Sequence, residues 1–330
     1  MQLIRGIHNL SPDNNGLAIT IGNFDGVHAG HREIFDQLRT AADKNGMQTC
    51  VVTFTPLPHE YFQADASAPR LSSLRDKVEA IRACGIDKLV FLPFGRKLAA
   101  VEPEAFIDEC LIKSLKVRHL VVGDDFRFGN QRRGDFEMLK TAGQANGFTV
   151  VSTHSVTTRM DDASADSELR ISSSAIRQAL TNNDLAAAGK LLGHPYRISG
   201  RVIRGQQLGR TIGFPTANVC LKSLRPALRG VYAVTAFAAP QVQNAGAPPT
   251  VYNGVANLGE RPTVNGRQLL LEVNVLEGSP DLYEQILSVS FHKFLRAEQK
   301  FDSLDDLKQA IANDAAKAKE FFAINNPIDS

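Results

Sequence analysis

Residues 17–31, LAITIGNFDGVHAGH, decide the fold of the N-terminal half of this chain. The short apolar run LAITIG is typical of a buried strand, and it leads into a loop that carries glycines. The chain continues as HREIFDQLRTAADKNG, in which the spacing of apolar residues predicts an amphipathic helix that ends at a glycine. A strand, a turn and a helix in this order form the repeating unit of a parallel sheet.

The same alternation of strand and helix continues to about residue 153. Short apolar runs recur at residues 48–54, 87–94, 118–123 and 147–152. Because these runs are continuous and helical segments separate them, they predict an α/β domain with a parallel sheet covered on both faces. Such sheets bind ligands beyond the carboxyl ends of their strands, so the loops after the first and fourth strands are candidate sites.

The pattern changes near residue 185. After the helical segment NNDLAAAGKLLG, β-like runs follow at residues 196–203, 230–238, 250–259, 268–277 and 286–295. Several alternate apolar and polar residues, which predicts an antiparallel barrel or sandwich. The segment SLDDLKQAIANDAAKAKEFF predicts a terminal helix that starts at a serine. We place the boundary after residue 184, which gives domains of residues 1–184 and 185–330.

Composition excludes several classes of protein. The 330 residues are 43% hydrophobic and 22% charged, which suffices for two cores, and the formal net charge is only +2. Acids and bases are mixed along the chain, which argues against a protein dedicated to nucleic acid or a membrane surface. No apolar run approaches the roughly 20 residues of a membrane span, so we expect a cytoplasmic protein. The four cysteines stand singly, which predicts neither a zinc site nor a disulfide framework.

The loop after the first strand holds the most informative residues. Gly22 and Gly26 permit a tight turn and a close approach of ligand to backbone. His28 and His31 then fall in the first turn of the helix, on one face. The helix dipole favours an anion there, and two imidazoles suit a polyphosphate whose charge grows in the transition state. The alternative, that both histidines only coat or cap the helix, fits the flanking glycines less well.

Two further segments give weaker signals for nucleotide binding. In RISSSAIR, Ser173 and Ser174 can cap a helix and leave its N–H groups to a phosphate, while Arg170 and Arg177 supply charged donors. Taken alone, this segment is a plain helix start. Asp125, in the loop GDDFRFG after the fourth strand, is an acid that could meet a ribose or a metal.

Apolar residues in these loops offer walls for a flat ring. The loop TFTPLP after the second strand is stiff and apolar, and it contains Phe54, Pro56 and Pro58. Phe126 lies in the loop after the fourth strand. Each of these signals is weak when read singly.

The second half carries GRTIGFPTAN at residues 209–218. Gly209 and Gly213 expose backbone N–H groups, and Thr216 and Asn218 offer two neutral oxygen ligands, a set that suits a magnesium-bound nucleotide. The segment is not a P-loop, because GxxxxGK[ST] occurs nowhere in the sequence. The pattern alone favours a plainer interpretation, a turn followed by a strand.

Glu272 is an acid inside the strongly apolar run LLLEVNV. An isolated buried carboxylate is costly unless it is paired or neutralised, and acids in such positions often transfer protons. Strand alternation equally allows Glu272 to lie on a solvated face. The pattern leaves both interpretations open.

Together, these motifs resemble the bacterial bifunctional riboflavin kinase/FMN adenylyltransferase family, also called FAD synthetase, over nearly the whole chain. GNFDGVHAGH resembles the HxGH signature of nucleotidylyltransferases, and TFTPLP, VGDDFRFG and RISSSAIR follow in the family's order, with Ser174 where threonine is expected. The resemblance implies a Rossmann-like nucleotidylyltransferase domain in which His28 and His31 are catalytic. The ATP contacts that it implies are Gly22, Phe24, Asp25, Gly26, His28, His31, Asp125, Arg170, Ser173, Ser174 and Arg177.

The segments GRTIGFPTANV, NLGERPTV, LEVNVL, DLYEQILSV and FLRAEQKF resemble the riboflavin kinase half of the same family. The resemblance implies a six-stranded antiparallel barrel with a trailing helix, in which Thr216 and Asn218 position Mg–ATP. Glu272 would be the general base that activates the ribityl 5′-hydroxyl. Asn274 stands where histidine is expected. Further implied contacts are Gly209 and Gly213 with ATP, and Phe54, Pro56, Pro58, Phe126 and Arg296 with flavin.

The activity implied by the resemblance is sequential. Riboflavin and ATP would give FMN in the C-terminal domain, and FMN and ATP would give FAD and pyrophosphate in the N-terminal domain, both with Mg²⁺. We expect no nucleic acid, membrane or obligate protein partner. Two alternatives are a nucleotidylyltransferase for another phosphorylated alcohol and a flavin-binding regulator on a retired enzyme scaffold. The presence of His28, His31 and Glu272 weighs against the regulator.

Overall fold

The structure is a computed structural model, and it describes most of the chain. The described residues are 1–10, 15–63, 67–153, 157–159, 168–205, 209, 212–222, 224–238, 250–263, 266–278 and 280–325. They form two compact units, of which the first comprises Met1–Ala68 and Lys77–Ser172 and the second Pro69–Asp76 and Ser173–Ser330.

A parallel sheet of six strands forms the centre of the first unit, in the order β1-β4-β3-β2-β5-β6. The strands are β1 (Gln2–Arg5), β2 (Leu17–Ile21), β3 (Gln48–Thr55), β4 (Lys88–Pro93), β5 (Val117–Gly123) and β6 (Thr149–Thr153). Five of them match the predicted strands. The sixth, β1, pairs with β4 at the edge of the sheet and buries only Ile4, which is too little apolar pattern to predict a strand.

Helical segments accompany this sheet. They are α1 (Ala29–Asn45), α2 (Pro58–Phe62), α3 (Leu74–Ala83), α4 (Arg96–Ala99), α5 (Pro103–Ala105), a π-helical segment (Phe106–Ser114) and α6 (Phe136–Asn146), with 3₁₀ turns at Ile7–Asn9 and Asn130–Arg132. One apolar core contains Ile19 and Val52, and another contains Ala18, Val51 and Phe35 of α1. Because neighbouring residues of one strand enter different cores, both faces of the sheet are covered, as predicted.

A closed antiparallel barrel forms the second unit, with strand order β10-β13-β12-β11-β14-β9. The strands of the barrel are β9 (Arg197–Ile203), β10 (Thr216–Val219), β11 (Gly230–Ala238), β12 (Val251–Thr263), β13 (Gly266–Val275) and β14 (Ile286–Arg296). The first unit also contains a separate two-stranded ribbon of β7 (Thr157–Arg159) and β8 (Glu168–Arg170). The structure thus selects the barrel over the sandwich.

Among the described residues of the second unit are the helices α7 (Ser173–Thr181), α8 (Leu185–Leu192) and α9 (Leu304–Ile324). Ser303 caps α9 by accepting a hydrogen bond from the Asp306 amide, so the terminal helix starts at the predicted serine. The units divide after Ser172, earlier than residue 184, because α7 belongs with the barrel unit. The functional boundary after residue 184 stays a prediction.

The cysteines are free thiols. Cys50 and Cys84 are buried, whereas Cys110 and Cys220 are half-buried, and burial raises the pKa of Cys50 to about 12 and of Cys110 to about 11. Within the described ranges, no helix has the length and apolar character needed to cross a membrane. Nor do three or more His, Cys, Asp or Glu side chains of these residues cluster in a way that could hold a metal ion.

Candidate functional site

The loop between β2 and α1 adopts a strained conformation. Phe24 and Val27 have φ angles of 44° and 40°, in the left-handed region that disfavours side chains. Gly22 lies so close to the Phe24 ring that a Cβ atom would meet it at 2.9 Å, which makes glycine the residue that fits there. Backbone strain of this kind clusters at functional loops, because the surrounding structure must hold it.

His28 and His31 lie together at the start of α1. His28 immediately precedes the helix and His31 is in its first turn, and their rings stack with centroids 3.6 Å apart. The Phe24 ring packs edge-on against His31 at 5.1 Å. The two histidines therefore share one face, as their spacing of three residues predicts, and they lie at the positive end of the α1 dipole.

The surroundings of His31 keep its imidazole neutral. Burial, the neighbouring His28 and the Lys77 ammonium lower the pKa of His31 well below its ordinary value of 6.5. The Nδ1 atom of His31 is buried and has no hydrogen-bond partner among the described residues. A neutral imidazole still carries one N–H group. In the tautomer that has this proton on Nδ1, the ring can donate a hydrogen bond to an anionic ligand.

Lys77 contacts this candidate loop, although sequence patterns do not single it out. It is 5% exposed, and its Nζ donates to the Asn23 carbonyl at 2.7 Å, an oxygen that also accepts from Thr53 Oγ1 at 3.2 Å. A buried ammonium destabilises the fold unless it is hydrogen-bonded. The bond from Lys77 therefore supports the strained loop, and its ammonium supplies positive charge beside it. In the sequence it is only one lysine of an amphipathic helix.

Two other predicted contacts in the loop are enclosed by the protein. Phe24 and Asp25 are each 2% exposed, so the protein surrounds them on nearly all sides. Their contact with ATP stays a prediction. Gly26 has a φ of 85°, which supports the turn expected of it.

Asp125 and Arg170 meet in the first unit. Arg170 Nη2 lies 3.2 Å from Asp125 Oδ2 and 3.4 Å from Asp124 Oδ1, and all three side chains are substantially exposed. Exposed ion pairs of this kind are weak, so either partner can exchange the other for a phosphate or a cation.

The remaining predicted nucleotide contacts belong to the second unit. Ser173 is the first residue of α7, Ser174 is exposed, and Arg177 Nε donates to the Pro69 carbonyl at 2.6 Å. Contact of these residues with the nucleotide stays a prediction.

Aromatic rings gather where β3 and β4 end. Phe54 packs edge-on against Phe94 at 5.7 Å, and Tyr61 and Phe62 of α2 contact Phe94 at 5.7 and 5.8 Å. Phe62 is 66% exposed and Tyr61 40%. Large exposed rings beside one another offer a surface for a flat aromatic ligand. Only Phe54 is predicted from the sequence, since the other three rings fall in no motif.

The other predicted ring contacts follow the same edge of the sheet. Pro56 is exposed, Pro58 begins α2, and Phe126 stacks on Phe128 at 5.8 Å after β5. Because β3 and β5 flank β2 in the sheet, the end of β3 that carries Phe54 and the loop that carries Phe126 lie on either side of the HxGH loop.

In the second unit, one pocket of about 320 Å³ collects predicted kinase residues. Its lining includes Gly209, Thr216, Glu272 and Arg296. A smaller cavity of about 80 Å³ is lined by Thr216 and Tyr283 among others. Thr216 thus borders both, while the predicted Gly213 is exposed with a φ of 89° in the turn before β10.

The register of the barrel places Glu272 between two amides. Asn218 of β10 and Asn257 of β12 lie directly opposite Glu272 of β13. Directly opposed residues share a face and have Cβ atoms about 4.5–5.5 Å apart. Glu272 is therefore a half-buried acid on the wall of the pocket rather than one on a solvated face.

Asn274, the departure from the expected histidine, has a clear local role. Its Nδ2 donates to the Pro215 carbonyl at 2.8 Å, one residue before Thr216. The Phe214 amide donates to the Gly209 carbonyl at 2.7 Å, which closes the turn that precedes β10. Both bonds fix the entry of β10 and hence the position of Thr216.

Arg296 is held by an acid that the sequence does not mark. Its Nε lies 3.1 and 3.0 Å from the two carboxylate oxygens of Asp314 on α9, and its Nη2 lies 2.8 Å from Oδ2. Asp314 is 2% exposed and lines the same pocket, and the Arg296 guanidinium lies over the Phe301 ring at 5.6 Å. This forked pair fixes the guanidinium and neutralises its charge.

Comparisons with known proteins assign each half to a family. A family model described as FAD synthetase matches residues 10–167, and one described as riboflavin kinase matches residues 192–322. The bifunctional riboflavin kinase/FMN adenylyltransferase of Escherichia coli (strain K12) is 46% identical over 99% of this chain and 100% of its own length. The protein of that description from Haemophilus influenzae is 44% identical over 98% of this chain and 99% of its own length.

A solved structure shares the fold of both halves. The crystal structure of a protein from Streptococcus pneumoniae, described as a macrolide-efflux protein, superposes with a TM-score of 0.77 and 27% identity, covering 96% of this chain and 98% of its own. Sequence matches extend over the full length of the curated relatives, with both halves in the same order. The chain belongs to the bifunctional riboflavin kinase/FMN adenylyltransferase family.

Proposed function

We propose that the chain phosphorylates riboflavin to FMN and then adenylylates FMN to FAD with release of pyrophosphate. We assign the kinase to residues 185–330 and the adenylyltransferase to residues 1–184. The observation that carries the proposal is that each half assembles its own set of reactive groups. The stacked His28 and His31 lie at a helix N-terminus, and Glu272 lines a pocket with Thr216 and Arg296.

In the adenylyltransferase, a phosphate oxygen of FMN attacks the α-phosphorus of ATP. A P–O bond forms there as the bond to the bridging β-phosphate oxygen breaks, and pyrophosphate leaves. His28 and His31 stabilise the negative charge that develops on the phosphates, and the Lys77 ammonium adds to the positive potential around them. Arg170 exchanges its exposed carboxylate partners for phosphate oxygens.

The flavin of FMN lies against the aromatic rings at the ends of β3 and β4. Phe54, Tyr61 and Phe62 present ring faces and edges there, with Phe62 the most exposed of the three. The loops with Pro56, Pro58 and Phe126 complete the walls. This arrangement is supported by the sheet order, which places the ring-bearing loops on both sides of the HxGH loop.

In the kinase, Glu272 accepts the proton of the ribityl 5′-hydroxyl as its oxygen attacks the γ-phosphorus of ATP, and ADP leaves. Riboflavin occupies the 320 Å³ pocket, which Arg296 lines. The nucleotide binds at the smaller cavity, which Tyr283 lines. Thr216 borders both spaces, so it lies where the transferred phosphoryl group would pass.

The kinase residues fit a magnesium ion that arrives with the nucleotide. Thr216 and Asn218 lie two residues apart on one face of β10 and offer neutral oxygens, and Glu272 faces Asn218. Mg²⁺ prefers oxygen ligands and keeps phosphates and waters as the others. When bound, it would neutralise phosphate charge.

We expect the enzyme to act in the cytoplasm on riboflavin, FMN and ATP. Neither reaction requires nucleic acid, a membrane or a protein partner. The near-neutral net charge and the mixed distribution of acids and bases support small-molecule substrates.

The test is a time course of purified protein with riboflavin, ATP and Mg²⁺, in which chromatography resolves the flavins and ATP carries a label on its α- or γ-phosphate. We expect γ-label to enter FMN first and α-label to enter only FAD. FMN without FAD would favour another phosphorylated alcohol as the substrate of the N-terminal half. No product at all would favour a flavin-binding regulator.

A further inference from the structure

Asn257 is a polar residue of the kinase pocket that no sequence motif marks. It lies on β12 directly opposite Glu272 of β13, and both line the 320 Å³ pocket. Directly opposed residues of antiparallel strands share a face, with Cβ atoms about 4.5–5.5 Å apart. The side chain of Asn257 therefore lies close enough to Glu272, the acid proposed to take the substrate proton, for one bound group to contact both.

The amide oxygen of Asn257 is buried and accepts no hydrogen bond from any residue that the structure describes. Buried amide oxygens are almost always bonded, because one that has lost water without gaining a donor destabilises the fold. A donor from a ligand in the pocket would satisfy this oxygen.

The two amides that flank Glu272 have different surroundings. Asn218 is 5% exposed, and its amide group lies against the Gly205 backbone. Asn257 is half-buried and contributes to the lining of the 320 Å³ pocket. Of the two, Asn257 has the oxygen that can meet a substrate in this pocket.

A polyol chain supplies the missing donor. Successive carbons of such a chain carry O–H groups, and the hydroxyl next to the terminal one is only one carbon further along the chain. When the terminal hydroxyl lies at Glu272, this neighbour falls within the roughly 5 Å that separate two opposed side chains. One substrate can thus satisfy both residues at once.

We propose that Asn257 is a specificity-determining residue of the kinase, whose Oδ1 accepts a hydrogen bond from the ribityl hydroxyl adjacent to the terminal one. This bond aims the terminal hydroxyl at Glu272. The inference rests on the riboflavin kinase function proposed above. It predicts that the kinase prefers a polyol-bearing flavin to one with a plain hydroxyalkyl chain.

The test compares two substrates, riboflavin and a flavin that carries a 5-hydroxypentyl chain and therefore keeps only the terminal hydroxyl. In Asn257→Ala we expect kcat/KM for riboflavin to fall about tenfold, the usual effect of one lost substrate hydrogen bond, with little change for the hydroxypentyl flavin. The preference of the wild-type enzyme for riboflavin should shrink by the same factor.

Asn253→Ala is the matched control. Asn253 lies on the same strand and face, and its Oδ1 is also buried without a partner among the described residues, but it does not line the pocket. We expect this variant to keep the preference for riboflavin. If Asn257→Ala unfolds, Asn257→Ser takes its place, with the same expected loss of preference.

Equal losses for both substrates would show that Asn257 only shapes the barrel, and an unchanged preference would show that it does not contact the chain. Either result overturns the inference while wild-type FMN formation leaves the kinase function intact. Failure of the wild-type protein to phosphorylate riboflavin would remove the kinase function itself, and the inference with it.

Discussion

The two proposed active sites of this chain are built in opposite ways. The adenylyltransferase loop is continuous in sequence, with its glycines and histidines within residues 22–31. The proposed kinase pocket draws on separate strands and on the terminal helix, from Gly209 to Asp314. A continuous loop must contain particular residues at fixed spacing, so it is visible in a sequence. A pocket assembled by strand register is not, because each residue looks ordinary within its own strand.

Because the two sites use different residues, we expect substitutions in one site to abolish its reaction and leave the other reaction intact. We expect His28→Asn combined with His31→Gln to lower FAD formation from supplied FMN by at least roughly 10²–10³, because each ring stabilises charge in the transition state. FMN formation from riboflavin should be unchanged, as measured by chromatography of both reactions.

His119→Gln is the control for the double variant, since His119 is a half-buried histidine of the same unit that lies on β5, outside the loop. It should retain both activities. Loss of FMN formation in a folded double variant would contradict the separation of the sites.

Asp314→Asn tests whether the carboxylate of Asp314 positions Arg296 in the kinase pocket. Without the carboxylate, Arg296 loses its forked partner, so we expect the KM for riboflavin to rise roughly tenfold while kcat changes little. The freed positive charge should also strengthen inhibition by the product FMN. Steady-state kinetics with riboflavin measure both effects.

Asp305→Asn, at a highly exposed carboxylate on the same helix, is the matched control and should match the wild-type enzyme. A fall in kcat without a change in KM would show that Asp314 does not act by positioning Arg296 for substrate binding.

Lys77→Met tests the support of the adenylyltransferase loop. We expect FAD formation to fall about tenfold, the effect of losing one charged hydrogen bond. Removal of the ammonium should also raise the pKa of His31, so the acid limb of the pH–rate profile should move to higher pH. Lys88→Met, at a second buried lysine of this unit, should lack that shift. An unmoved acid limb in Lys77→Met would exclude the electrostatic role.

The smallest expected effect is on stability. The pKa of His31 is lower in the folded protein than its ordinary 6.5, so below pH 6.5 the unfolded chain binds a proton that the folded chain does not. The free energy of unfolding of the first unit should therefore fall as the pH drops below 6.5, by at most about 1.4 kcal/mol per pH unit from this group. Denaturant titrations should show a shallower decline in His31→Gln, and an identical decline would contradict the assignment.

Much of the fold could be predicted because its patterns are local. Apolar runs locate five of the six sheet strands, and Ser303 marks the start of α9. The edge strand β1 could not be predicted from the sequence, because it buries a single side chain. The helix expected after the third predicted strand takes a π-helical form over Phe106–Ser114, which apolar spacing does not distinguish from an α-helix.

The candidate sites could be predicted where a motif is continuous and not where packing creates the contact. His28 and His31 stack as their spacing indicates. Lys77 and Asp314 are charged residues of amphipathic helices, and only the structure shows that each is buried beside a site. Asn257 depends on the pairing of β12 with β13, which is a contact between strands that sequence spacing does not specify.

The central claim, two separate active sites in one chain, is tested most directly by mixing two variants. Glu272→Gln should form FAD only from supplied FMN, because general-base catalysis contributes about 10²–10⁴ to the rate. The His28→Asn, His31→Gln variant should stop at FMN. Mixed in one reaction with riboflavin, ATP and Mg²⁺, the two proteins should restore FAD formation through FMN released by one and used by the other. Absence of FAD from that mixture, with each variant active in its remaining reaction, would contradict the account.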